Sequence, residues 1–254
     1  WCTDAFACVA GQAVLSHIPG LVSTEVDARL SFDTAATVAK ARRLMALYRE
    51  LEVPAERVLI KAAATWEGIQ AARILEEEGV RCNLTLVFSA EQALAAAEAG
   101  ATLISPFVGR IQDWHVKRGL EITDINQDPG VQSVREIFHL LKGRGLDTIV
   151  MGASFRNAAQ IEALAGCDRL TISPALLGEL AEDDGALSRC LDPDTVAPAE
   201  PDGALPARAL NEARFRWSLN DNPMACDLLS DGIRRFAADQ RALESLLTAE
   251  DIAA

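Results

Sequence analysis

Two periods of hydrophobicity run through the chain. Short, nearly continuous apolar runs have the length of strands covered on both faces, as in a parallel sheet. They are centred on Val58-Leu59-Ile60, Leu84-Thr85-Leu86-Val87-Phe88, Leu103-Ile104 and Ile149-Val150-Met151. Two further strands are predicted over 21–28, where apolar and polar residues alternate, and over 169–174. Between them lie longer stretches with helix start and stop signals. Asp33 is placed to cap a helix running to Glu50, and Gly79 closes one over 67–78. Ser89 opens an alanine-rich helix that Gly100 ends. Further helices are expected over 3–17, 131–142, 158–165 and 211–247, the last broken at Asn222-Pro223. Pro129-Gly130 reads as a chain break, and 192–208, rich in Pro, Ala and acid, as a surface loop.

Strand followed by helix, six times over, predicts an α/β fold of parallel βαβ units. No GxGxxG turn or GxxxxGK[ST] loop is present, so the glycine cradles of nucleotide-binding folds are not supported. The expected architecture is a TIM (β/α)8 barrel forming one domain over 1–254, with its first two βα units missing from this sequence. The chain opens on Trp1 and runs straight into helix, which reads as N-terminal truncation. An open doubly wound sheet is the alternative.

Composition narrows the function. Half the 254 residues are hydrophobic, yet no stretch approaches the roughly 20 apolar residues of a membrane helix, so no membrane partner is expected. A formal net charge of -13 argues against nucleic acid, which requires a basic footprint. The six cysteines are scattered without a CxxC pair, and with three histidines they offer no zinc-like spacing. No metal or cofactor is expected. The cysteines read as reduced, buried small residues of a cytoplasmic enzyme, and His17, His115 and His139 as packing or surface residues.

The chemistry is concentrated where polar residues interrupt the apolar runs. Lys61 follows Val58-Leu59-Ile60 directly. A lysine there must reach water, find a counter-ion or lose its proton, and the last outcome makes an amine able to form a Schiff base with a carbonyl. Reaching water from a strand end is the competing structural reading. In a barrel the C-terminal strand ends carry the active site. There the sequence supplies Glu25 and Asp27, Asn83 and Thr85, Ser105 with Arg110, and Ser154 with Arg156. Each has a structural alternative: Glu25 and Asp27 could pair with Arg29, and the arginines could cap carbonyls. Together they suggest carbonyl chemistry on a phosphorylated, polyhydroxylated substrate.

The segments VSTEVDARLSFD, RVLIKAAATWEGI, GVRCNLTLVFS, LISPFVGRIQDW, VMGASFRN, AGCDRLTISPALL and DGIRRFAADQ, in this order and almost end to end, resemble the larger, classical subtype of transaldolase. The resemblance implies a (β/α)8 barrel acting in the pentose phosphate pathway. It implies transfer of a dihydroxyacetone unit from sedoheptulose 7-phosphate or fructose 6-phosphate to glyceraldehyde 3-phosphate or erythrose 4-phosphate. Residue by residue, it places the Schiff base on Lys61 and a catalytic water on Glu25 and Thr85. Asn83 and Ser105 would contact the dihydroxyacetone portion, Phe107 would line the pocket, and Arg110, Ser154 and Arg156 would bind the sugar phosphate. The partners implied are sugar phosphates, and the assembly allows a homodimer. The family's first-strand aspartate, which serves as acid and base, and its second-strand Thr-Asn-Pro motif have no counterpart in this sequence. Two alternatives remain open at this point: a Schiff-base aldolase that releases its three-carbon product to water, and a catalytically impaired sugar-phosphate-binding fragment.

Overall fold

The computed structural model describes residues 1–198 and 210–250, with side chains to residue 247. In chain order the elements are α1 (Cys2–Leu15), β1 (Val22–Glu25), α2 (Thr34–Glu50), β2 (Val58–Ala63), α3 (Trp66–Glu77), β3 (Cys82–Val87), α4 (Ala90–Glu98) and β4 (Leu103–Pro106). They continue with α5 (Val108–Val116), α6 (Pro129–Gly143), β5 (Ile149–Gly152), α7 (Ala158–Glu162), β6 (Arg169–Leu170), α8 (Pro174–Ala181), α9 (Glu212–Asp221) and α10 (Pro223–Glu250). The alternation of strand and helix is an α/β fold with parallel strand pairing. Among the described residues, no helix is long and apolar enough to cross a membrane.

The residues fall into two compact units. The first comprises Trp1–Thr85, Ala99–Ala101 and Ser230–Ala254. In it β1, β2 and the first part of β3 pair in parallel, with Glu25 opposite Lys61, Lys61 opposite Asn83, and Ala63 opposite Thr85. Because side chains alternate across a strand, Val58, Ile60 and Ala62 turn to one face and Leu59, Lys61 and Ala63 to the other. The apolar row is buried, as are Ala41, Leu44 and Tyr48 of α2 and Ile69, Ala72 and Leu75 of α3. Asp33 caps α2 by accepting from the Ala36 amide at 2.9 Å. Thr65 caps α3, accepting from the Gly68 amide at 2.9 Å while donating to the Ser31 carbonyl at 2.5 Å.

The second unit comprises Leu86–Glu98 and Thr102–Leu229. Here β4, β5 and β6 pair in parallel. Val131, Val134, Ile137, Phe138 and Leu141 of α6 recur at helical spacing and are fully buried, each contributing roughly 1.5–3 kcal/mol.

Several sequence expectations change. Pro129-Gly130 does not break the chain but begins α6, with Asp128 as its cap and Pro129 in the first turn, where a missing amide costs nothing. A Cβ on Gly130 would lie 2.1 Å from the Val108 carbonyl oxygen, which explains glycine there better than a turn does. Helices α5 and α8 have no counterpart in the hydrophobicity reading, since each is short and starts within four residues of a strand end. The strand expected over 169–174 is only the two residues of β6, because Ser173 and Pro174 are drawn into the start of α8. Of the loop expected over 192–208, Pro193–Thr195 forms a short 3-10 turn. Residues 199–208 of that loop lie outside the described residues.

Candidate active site

Parallel pairing brings four predicted residues onto one face of the first unit. The Glu25–Lys61–Asn83 row crosses three strands, and Thr85 lies two residues further along β3. Lys61 Nζ is 3.1 Å from Glu25 Oε2, and both side chains are about three-quarters buried, at 23% and 29% exposure. Lys61 thus neither reaches freely into water nor lies bare in an apolar setting; it has a carboxylate partner. The expected alternative pairing is corrected for Glu25 and kept for Asp27. It is Asp27 that takes Arg29, through contacts of 2.9 Å from Nε and 2.5 Å from Nη2. Burial pushes the Asp27 carboxyl up, but the hydrogen bonds from Arg29 outweigh it and hold the group below the usual carboxylate range.

Asn83 is buried and donates from Nδ2 to Ser23 Oγ at 3.0 Å, which fixes the orientation of its amide. Thr85 Oγ1 is fully buried and makes no hydrogen bond among the described residues. Ala63, the next residue on the same face as Lys61, adds only a methyl group at that strand end.

The second unit gathers the anion-binding candidates. The backbone of β4 continues past Pro106 so that Phe107 bridges Ala153 in parallel. The amides of Val108 and Gly109 donate to the Ala153 and Ser154 carbonyls at 2.9 and 2.8 Å. Arg110 follows in the first turn of α5, its guanidinium 4.8 Å from the centroid of the Phe107 ring. Phe107 in turn meets Phe88 edge-on at 5.7 Å. Ser154 holds a left-handed backbone conformation, with φ of +64°, which costs a side-chain-bearing residue of order 1 kcal/mol or more. That turn directs its carbonyl to Gly109 and to Arg156 Nη1, the latter at 3.1 Å, while its hydroxyl lies 3.3 Å from the same nitrogen. Arg156 Nη2 is 2.7 Å from Asp113 Oδ2. Ser105 is buried on β4.

Sequence reasoning missed the groups that hold these residues in place. Gln92 and Gln160 are both fully buried. The Gln92 carbonyl accepts from the Phe88 amide at 2.9 Å and its amide donates to the Leu86 carbonyl at 3.1 Å. Gln160 does the same work after β5, accepting from the Arg156 amide at 2.8 Å and donating to Asp128 Oδ2 at 2.8 Å. Each stands three residues after a helix cap, Ser89 or Asn157, which is capping-box spacing and a signal the sequence does offer. Asp113, the counter-ion of Arg156, lies 43 residues from it, and nothing local marks the pair. The cysteines divide: Cys8 and Cys82 are buried, with burial pushing the Cys8 thiol up to about 11 and Cys82 well up. Cys2 and Cys190 are exposed, contrary to the expectation of buried residues.

With this geometry in place, comparison with known proteins is specific. The family model for "Transaldolase/Fructose-6-phosphate aldolase" matches residues 1–247. A transaldolase of Marinomonas sp. is 58% identical over 244 residues, covering 96% of this chain and 75% of its own length. One from Marinobacter nauticus is 57% identical, covering 95% of this chain and 74% of its own. One from Agrobacterium fabrum is 54% identical, covering 99% and 76% respectively. A solved mandelate oxidase structure aligns over 70% of this chain and 61% of its own at 16% identity, with a TM-score of 0.40, too slight a likeness to bear on the fold.

Proposed function

The chain belongs to the Transaldolase/Fructose-6-phosphate aldolase family and its function is that of a transaldolase, and on that premise we propose that Lys61 is the amine that carries the three-carbon unit. The observation that supports this assignment is the row itself: an amine 3.1 Å from a carboxylate, flanked in register by a fixed amide, with a buried hydroxyl beyond.

In this reading Glu25 takes the proton that the Lys61 ammonium must lose before its nitrogen attacks the ketone carbon of a sugar phosphate. Loss of water from the resulting carbinolamine leaves an iminium, with Glu25 and a water held by Thr85 relaying the protons. The iminium accepts the electron pair of the breaking carbon-carbon bond while the hydroxyl on the departing carbon gives its proton to the Glu25–water relay and becomes the aldehyde of the leaving aldose phosphate; the same relay returns a proton to the new hydroxyl in the second half. The enamine left on Lys61 then attacks the aldehyde of a second aldose phosphate, and hydrolysis of the new iminium frees the ketose phosphate. Asn83 and Ser105 hold the hydroxyls of the three-carbon unit, and Phe107 lines the pocket. Arg110, Ser154 and Arg156 bind the phosphate, a role supported by the fork geometry of guanidinium toward phosphate oxygens.

Three finer readings accompany the proposal. The strands form part of a single-domain, eight-stranded barrel completed by two further βα units, a reading supported by the exposed apolar side chains Phe6, Val9 and Val14 on α1, which such units would cover. The enzyme acts in the cytoplasm, in keeping with six unpaired cysteines. It assembles as a homodimer, for which a monomeric mass by light scattering would be the contrary result.

Borohydride reduction in the presence of fructose 6-phosphate, followed by peptide mass mapping, tests the central assignment. A three-carbon adduct on Lys61 is expected. A folded enzyme that transfers the unit yet carries no adduct at Lys61 overturns it.

A further inference from the structure

The C-terminal helix contributes a contact that the roles above do not use. Phe236 of α10 places its ring centroid 5.8 Å from Lys61 Nζ. Phe236, Asp239, Gln240 and Leu243 lie on one side of the helix and, with Glu25, line a cavity of about 280 Å³. Eight residues on from Phe236, or about 12 Å along the axis, the same side carries Glu244. Arg29 fastens Glu244 to the loop after β1. Its Nη1 donates to Glu244 Oε2 at 3.2 Å and its Nη2 to Oε1, while Nε and Nη2 grip Asp27. Gln240 adds a bond to Glu244 Oε1 at 3.3 Å. Asp27 lies two residues beyond Glu25, so the clasp is anchored on the loop that directly follows the strand bringing the carboxylate to Lys61.

We propose that Arg29, clasping Asp27 and Glu244, is a positioning residue that holds α10 with Phe236 over Lys61, shielding the covalent three-carbon intermediate from water so that it is transferred to an aldose and not released. The inference rests on the reading of Lys61 as the Schiff-base amine. The competing step consumes one water: a proton adds to the enamine carbon, the oxygen bonds to the former iminium carbon, and the carbon-nitrogen bond breaks. The products are free dihydroxyacetone and the Lys61 amine with its hydrogen restored. Water is its only co-reactant, so the rate depends on how often the ring moves off the amine. Ile233 and Ala237 remain buried on the same helix, so loss of the clasp loosens α10 without removing its apolar seat. An exposed charge pair shifts an equilibrium by no more than roughly fivefold.

The test uses the full chain with fructose 6-phosphate and erythrose 4-phosphate, and measures free dihydroxyacetone against transferred product. In Glu244→Gln the ratio of release to transfer is expected to rise about three- to fivefold with an unchanged melting temperature. Arg29→Lys, which keeps a charge but not the fork, should give a smaller rise. Phe236→Ala should raise the ratio at least as much as Glu244→Gln, and the double variant no further than Phe236→Ala alone. An unchanged ratio in all these variants, or a change in kcat and KM without a change in the ratio, overturns the inference. Borohydride labelling separates the two levels: a labelled wild type with unchanged ratios sinks the clasp alone, whereas an unlabelled wild type sinks the reading of Lys61 on which it depends.

Discussion

Glu25 Oε2 and Lys61 Nζ are 3.1 Å apart because β1 and β2 pair in parallel with these two residues opposite each other. The register places the carboxylate where it can take the proton of the amine. Glu25→Gln keeps the shape and removes the base, so the rate of borohydride labelling at Lys61 should fall by about 10²-fold or more. Labelling at the wild-type rate would show that Glu25 is only a counter-ion.

Arg156 presents a fork to Asp113 on one side and to Ser154 on the other. Arg156→Lys keeps the charge but loses the planar, two-pronged geometry. KM for fructose 6-phosphate should rise about tenfold or more, a loss of roughly 1.5–3 kcal/mol for a hydrogen bond to a charged group. Any turnover of unphosphorylated fructose should be unchanged, and an equal loss on both sugars would remove Arg156 from the phosphate site.

A Cβ on Gly109 would stand 2.3 Å from the Ser154 carbonyl oxygen and 2.7 Å from Arg156 Nη1. The backbone contact cannot give way as a flexible side chain could. Gly109→Ala should therefore cost about 1–3 kcal/mol in denaturant unfolding and weaken phosphate inhibition together. Full stability with normal inhibition would contradict the tight approach of the first turn of α5 to the turn at Ser154.

Asp27 has a carboxyl held below its usual range in the folded state, the hydrogen bonds of Arg29 outweighing the opposing effect of burial. Its unfolded value is about 3.9, so the stabilisation is complete above that pH and is lost as pH falls through the lower folded value. Asp27→Asn should lower the melting temperature at pH 7. The gap to wild type should narrow only below about pH 4, and a gap independent of pH down to pH 2 would point to packing instead of charge.

The sequence by itself determined the six strands in order, the helices other than α5 and α8, the caps at Asp33 and Ser89, and the position of Lys61 directly after an apolar run. It could do so because strand burial, helix capping and residue type are written in a few neighbouring positions. It also held the signal for Gln92 and Gln160 in their spacing from Ser89 and Asn157. The tertiary structure decided the rest. Whether Glu25 meets Arg29 or Lys61 depends on strand register, which no local pattern reports. That Asp113 partners Arg156, and that Phe236 lies over Lys61 while Glu244 reaches Arg29, are contacts between residues from 43 to 215 positions apart. Asp128-Pro129-Gly130 shows the same limit in reverse: its turn-like composition is local, but the reason for glycine is the Val108 carbonyl packed against it. Contacts made by chain folding over such distances leave no periodicity along the chain, and only the folded arrangement reveals them.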